Sequence, residues 1–145
     1  MKRVWIVFVL LLIATGLWAQ EHHSSTDQFF VYGETERSWG TGIYYHQVWS
    51  SIQFKIGAIA LYDRNMKTWV GLNTGFGYHS RMNRRWRFEA GSHLGTVQEY
   101  WYFGGYERIY YGANSLIIGI CTSQNFFISE SWFQGTIGIT IGKVW

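Results

Sequence analysis

The chain has no proline and a single cysteine, Cys121. With no second cysteine there is no internal disulfide, so a disulfide-stapled scaffold is excluded. A lone cysteine in an exported chain reads as packing, either buried or lipid-facing. Beyond Ala19 no apolar run approaches the roughly 20 residues of a spanning helix, so any later membrane crossing must be made by strands. Charge of one sign is scarce as well. Without Lys2 and Arg3 the excess of basic over acidic side chains shrinks from +3 to one, which gives no argument for a nucleic-acid partner. What the chain has in abundance is glycine, at 17 residues, and aromatics, at 20%, a composition that suits many strands and few helices.

The amino terminus has the layout of a secretory signal peptide. Lys2 and Arg3 precede the apolar run from Val4 to Thr15, and Gly16-Leu17-Trp18-Ala19 supplies a small-residue exit. Residues 1–19 are therefore expected to be cleaved. Residues 20–28 are almost wholly polar and read as a flexible periplasmic tail. The pair His22-His23 has no third ligand at a metal-binding spacing, so no metal and no cofactor are expected.

From Phe29 onward the dominant period is two. Ile52, Phe54, Ile56, Ala58, Ala60 and Tyr62 alternate with Gln53, Lys55 and Gly57. Val70, Leu72, Thr74, Phe76 and Tyr78 alternate with Trp69, Gly71, Asn73, Gly75, Gly77 and His79. Phe88, Ala90, Ser92 and Leu94 alternate with Arg87, Glu89, Gly91, His93 and Gly95. Polar turns fall at 63–67 and 81–85, and shorter reversals are expected near 38–41, 50–51, 122–125 and 129–131. Residues 98–108 read as the longest loop, and a bulge is expected near Asn114-Ser115, where the alternation changes phase. This gives eight strands over 29–145: an all-β fold, a single antiparallel up-and-down transmembrane barrel. An even strand count puts both ends of the barrel on the periplasmic side.

Alternation alone does not say which face is inside. A secreted soluble barrel carrying an apolar ligand has the same period with the polarity reversed. Glycine decides between them. Gly57, Gly71, Gly75, Gly77, Gly91, Gly95, Gly138 and Gly142 all share the polar face. Glycine weakens a strand and serves no purpose on a solvated wall, whereas inside a narrow barrel it makes room for larger neighbours. The polar face is read as the lumen and the apolar face as the lipid side. Tyr62, Tyr78, Trp86, Trp132 and Trp145 fall at strand ends, where interfacial girdles sit.

The last strand completes the pattern. In TIGITIGKVW, Ile137, Ile139, Ile141 and Trp145 share the lipid face, and Thr136, Gly138, Thr140 and Gly142 share the other. With the signal peptide and the alternating strands, this ending resembles the small eight-stranded outer-membrane barrels typified by OmpX and the membrane domain of OmpA. The resemblance is one of architecture. It implies the outer membrane of a Gram-negative cell envelope, with outer-membrane lipid and lipopolysaccharide as surroundings. It also implies that the barrel assembly machinery reads Ile137, Ile139, Ile141 and Trp145. Lys143 departs from the usual apolar choice and can snorkel to the headgroups.

Two sets of residues are candidates for function. Lys55, Asn73, His79, Arg87, Glu89 and His93, with Gln53, form a polar lumen cluster, in which Glu89 is expected to be the counter-ion of Arg87, with His79 or Lys55 as further partners. Tyr100, Trp101, Tyr102, Phe103 and Tyr106 are candidates for recognition of an extracellular ligand by the 98–108 loop, or for an outer girdle. A structural or surface-interaction role follows, with the lumen plugged. The enzymatic alternative is a lipid A-modifying barrel. Against it, His79 and Ser80 are adjacent and so point to opposite faces, and Ser129, Glu130 and Ser131 have no neighbouring histidine to act as a base. No catalytic residue is assigned.

Overall fold

The computed structural model describes residues 21–33, 37–63, 65, 67–81, 85–113 and 115–145. The expected signal peptide lies outside the described residues. Eight strands follow one another: β1 (Glu21–Gly33), β2 (Arg37–Trp49), β3 (Ile52–Asp63), β4 (Thr68–Arg81), β5 (Trp86–Val97), β6 (Tyr100–Ala113), β7 (Leu116–Phe127) and β8 (Trp132–Val144). Each pairs antiparallel with its neighbours in sequence, and β1 pairs with β8 to close the barrel. At the seam Thr26 stands opposite Ile141, and the Trp145 amide donates to the His22 carbonyl at 3.0 Å. Closure removes the unpaired strand edges that an open sheet would expose.

The polarity is that of the glycine argument. Phe76 is 60% exposed on the outer wall, while Gly75 is buried against the Lys55 side chain. An inward-facing apolar pocket, as a soluble ligand carrier needs, would require the reverse. The inward glycines make room for rings. A Cβ on Gly95 would meet the Tyr102 hydroxyl at 2.4 Å, one on Gly77 or Gly91 the Tyr106 hydroxyl at 2.9 Å, and one on Gly57 the Tyr44 ring at 2.5 Å.

Five sequence expectations are corrected. Residues 21–28 are not a tail: they form more than half of β1, hydrogen-bonded to β2 and β8. Glu21, His23, Ser25 and Asp27 point inward and His22, Ser24, Thr26 and Gln28 outward, so both faces are polar and no hydrophobic alternation marks the strand. Residues 98–108 are not a loop: the chain reverses at Gln98-Glu99 and continues as β6. The Asn114-Ser115 phase change is the β6–β7 connection rather than a bulge, since Ile109 of β6 and Leu116, Ile118 and Ile120 of β7 all face outward. The 122–125 turn is then absent, because these residues lie inside β7. The expected 38–41 turn lies inside β2, which begins at Arg37.

Glu21 and Trp145 lie at the same end of the barrel, together with the connections at 50–51, 82–85 and 114–115; this is called the near end. The far end carries the connections at 34–36, 64–67, 98–99 and 128–131, none longer than four residues.

Candidate functional site

The interior is filled in two storeys. Toward the far end Phe29, Tyr44, Ile59, Leu61, Val97, Tyr102 and Phe127 form an apolar cluster, with Val31, Trp69 and Tyr100 packed on it. Trp69, inward by parity, is thus part of the plug. Below this cluster the lumen is polar and ionic, and it derives from side chains at alternate positions on the eight strands, Thr140 of β8 among them.

Glu89, fully buried on β5, is the hub of the lower storey. The Tyr110 hydroxyl of β6 donates to its Oε1. His23 Nε2 of β1 lies 3.1 Å and His79 Nδ1 of β4 3.3 Å from the same oxygen, and His46 Nδ1 of β2 lies 3.8 Å from Oε2. The His23 and His46 rings stack with centroids 4.1 Å apart. Arg108 of β6 pairs with Asp27 of β1 and also donates to Ser25 Oγ at 3.2 Å and His46 Nε2 at 3.0 Å. Arg87 of β5 pairs with Glu21 of β1 across the near-end mouth. Lys55 of β3 holds its ammonium 3.4 Å from the centre of the Tyr106 ring, a cation–π geometry.

Higher up, neutral pairs take over. Gln53 donates to the Tyr106 hydroxyl at 2.8 Å, Asn73 to the Tyr102 hydroxyl at 2.7 Å, and the His93 Nε2 contact with Asn125 Oδ1 is 2.5 Å. A space of about 40 Å³ lies here, between Lys55, Asn73, His93, Tyr106 and Arg108 among others.

All six lumen residues expected from parity, Lys55, Asn73, His79, Arg87, Glu89 and His93, do point inward. Their partners differ from the expectation. Glu89 stands opposite His79 on the β4–β5 ladder, and its contacts are His23, His46, His79, Tyr110 and Arg108. Arg87 turns instead to Glu21. The error has one cause. With residues 21–28 taken as a tail, Glu21, His23 and Asp27 are missing from the lumen, and the histidines and arginines have no other carboxylate than Glu89. His46, Arg108 and Tyr110 lie at inward positions of strands whose bounds were misjudged, and extending the parity through β2 and β6 finds them.

Of the recognition candidates, Tyr102 and Tyr106 are buried in the lumen, Tyr100 packs on its apolar storey, and Trp101 and Phe103 stand on the outer wall at 53% and 51% exposure. They therefore form no loop surface, because a strand sends alternate side chains to opposite faces. Ile137, Ile139, Ile141 and Trp145 are all on the outer wall. Also as expected, His79 is buried inside and Ser80 belongs to the opposite face.

The outer wall is apolar over most of its surface but not on β5–β7. There Ala90, Gly91, Gly105, Glu107, Thr122 and Gln124 line a recess of about 250 Å³. Glu107 is exposed at mid-strand, paired with Ala90 on one side and Thr122 on the other.

No family model matches the chain, and no curated protein matches it in sequence. Solved structures do match in fold. Neisserial surface protein A aligns with a TM-score of 0.65 at 7% identity, covering 85% of this chain and 95% of the other. Ail, the attachment invasion locus protein of Yersinia pestis, aligns with a TM-score of 0.59 at 10% identity, covering 86% and 98%. The likeness is one of fold, and it supports the architectural resemblance to the small outer-membrane barrels.

Proposed function

We propose that the chain is a small outer-membrane β-barrel protein with a plugged lumen and a structural or surface-interaction role. The observation that carries this reading is the inverted polarity. Phe30, Ile43, Val70, Leu72, Phe76, Ile118, Ile120, Ile137 and Ile139 are each more than half exposed on one continuous outer wall, while charged groups are buried. Water does not tolerate a patch of that extent, which is far larger than the few hundred Å² common on soluble monomers. A bilayer does, since closed strands satisfy every backbone group and present apolar side chains to lipid.

The two ends fit the interfaces. Tyr45, Tyr78, Trp86 and Trp145 ring the near end, and Tyr32, Trp101, Phe103 and Phe133 ring the far end. The near end then faces the periplasm, where residues 1–19 serve as the export signal, and the far end faces outward in contact with lipopolysaccharide. The far-end connections are too short for a loop-borne binding site, so surface interaction falls to the upper wall and to the exposed 128–131 turn. Two aligned barrels are described as a surface protein and as an attachment invasion locus protein, which is consistent with such a role.

The test is fractionation of a bacterial host expressing the full chain, followed by gel mobility with and without boiling and by planar-bilayer recording. The expected result is a heat-modifiable band in the outer-membrane fraction with no long-lived channel currents. Recovery in the soluble periplasm would overturn the membrane reading. Stable discrete conductance would overturn the plug.

A further inference from the structure

The lower storey contains more unsatisfied ligand atoms than a plug requires. His23 is 1% exposed, and His46 and Glu89 are 0% exposed. Among the described residues, His23 Nδ1 and Nε2, His46 Nδ1 and Glu89 Oε2 lack a hydrogen-bond partner. Leaving buried polar atoms unpaired is costly, so a group of them on one spot needs a reason. One ligand atom from each of the three residues lies within 4.8 Å of the others.

We infer that His23, His46 and Glu89 form a binding site for a zinc-class divalent cation inside the near end of the barrel. Bonds of about 2.0–2.2 Å in a tetrahedron place ligand atoms roughly 3.4 Å apart. The separations of 3.1 Å for His23 Nε2–Glu89 Oε1 and 3.8 Å for His46 Nδ1–Glu89 Oε2 bracket that spacing. His79 Nδ1 lies 3.3 Å from Glu89 Oε1 but outside this group of three ligand atoms. Imidazole with carboxylate suits zinc and its neighbours, whereas calcium and magnesium call for more oxygen ligands.

The surroundings are those of an outer ligand shell, which fixes each imidazole and carboxylate from behind. The Glu21 carboxylate faces His23 Nδ1 at 4.0 Å and so favours the tautomer that leaves Nε2 free to ligate. Ser25 Oγ and Arg108 Nη1 both lie 3.0 Å from His46 Nε2, so a metal on Nδ1 with the proton on Nε2 requires the Arg108 contact to give way and Ser25 to accept. Tyr110 donates to Glu89. Arg108 is paired with Asp27 and Arg87 with Glu21, and Glu89 faces the imidazoles with Arg108 Nη1 4.0 Å from its Oε2. The chain reaches this arrangement without any metal-binding spacing in sequence, because the ligands come from β1, β2 and β5 and meet only when the barrel closes.

The test uses the full-length barrel, folded in detergent with Zn²⁺ and then passed through a desalting column. Metal retained per chain is measured by elemental analysis, and Co²⁺ loading is followed by visible absorption. The inference expects one zinc per chain, a cobalt spectrum of nitrogen and oxygen ligation, and a higher melting temperature with metal than without. His23→Gln and His46→Gln should each abolish retention, Tyr110→Phe should weaken it roughly 10–100-fold, and His22→Gln, on the outer wall, should leave it unchanged. Should a variant fail to fold by heat-modifiable mobility, the native-chain zinc content and cobalt spectrum still decide. Native protein that retains no metal, or retention lost only in His22→Gln, would overturn the inference and leave a purely hydrogen-bonded histidine–carboxylate plug.

Discussion

Arg108 on β6 pairs across the lumen with Asp27 on β1, 81 residues earlier in the chain, and so braces two strands that are not neighbours on the sheet. Both side chains are almost fully buried. Removing one partner strands the other charge in the interior, at a cost of about 3–5 kcal/mol. Asp27→Leu is therefore expected to lower the urea midpoint of the detergent-folded barrel sharply. Replacing both, Asp27→Leu with Arg108→Met, should restore most of the loss. If the double variant is as weak as the single one, the strut is not what holds these strands.

The strand glycines differ in how much space they leave. A Cβ on Gly71 would lie 1.7 Å from the Thr96 carbonyl oxygen, whereas one on Gly105 meets nothing nearer than 3.7 Å. Gly71→Ala must shift the β4–β5 ladder, and overpacking of this kind costs about 1–3 kcal/mol. Folded yield and thermal midpoint should fall for Gly71→Ala and hold for Gly105→Ala, which faces the outer recess. Equal behaviour of the two variants would count against the close approach of β4 to β5.

Glu107 sits at mid-wall among Ala90, Thr122 and Gln124. In a bilayer an acidic side chain at that depth is destabilising, by less than the roughly 2–4 kcal/mol of a basic one. Glu107→Leu is expected to raise the unfolding midpoint in lipid vesicles. Glu107→Lys should lower it by more, and in detergent both differences should narrow. A fall in stability for Glu107→Leu would mean that the carboxylate has a partner in the wall, and the lipid-exposed reading would be abandoned.

Ile141 faces outward opposite Thr26 at the seam, and Trp145 closes it through the His22 carbonyl. Ile141→Asp, and deletion of Trp145, should each reduce the heat-modifiable form recovered from outer membranes of an expressing host. Thr140→Ser, an inward change on the same strand, should not. Unchanged recovery in both outward variants would remove this strand from the assembly signal.

The alternation of β3, β4, β5 and β8, the count of eight, and the sense of the polarity are present in the residues themselves. Gly75 beside Phe76 and Gly138 beside Ile139 fix inside and outside before any packing is known, because a narrow lumen needs small residues and a lipid wall does not. β1 and β6 were not legible. In β1 both faces are polar, so burial of Glu21, His23 and Asp27 left no periodic signal. The β5–β6 reversal uses Gln98 in a left-handed conformation, φ 54°, without the glycine or asparagine that marks such a turn. Glu89 was legible as an inward acid, since parity alone places it. Which groups surround it was settled only by closure of β1 onto β2 and β8, where register and barrel curvature, rather than any local spacing, bring His23, His46 and His79 to one carboxylate.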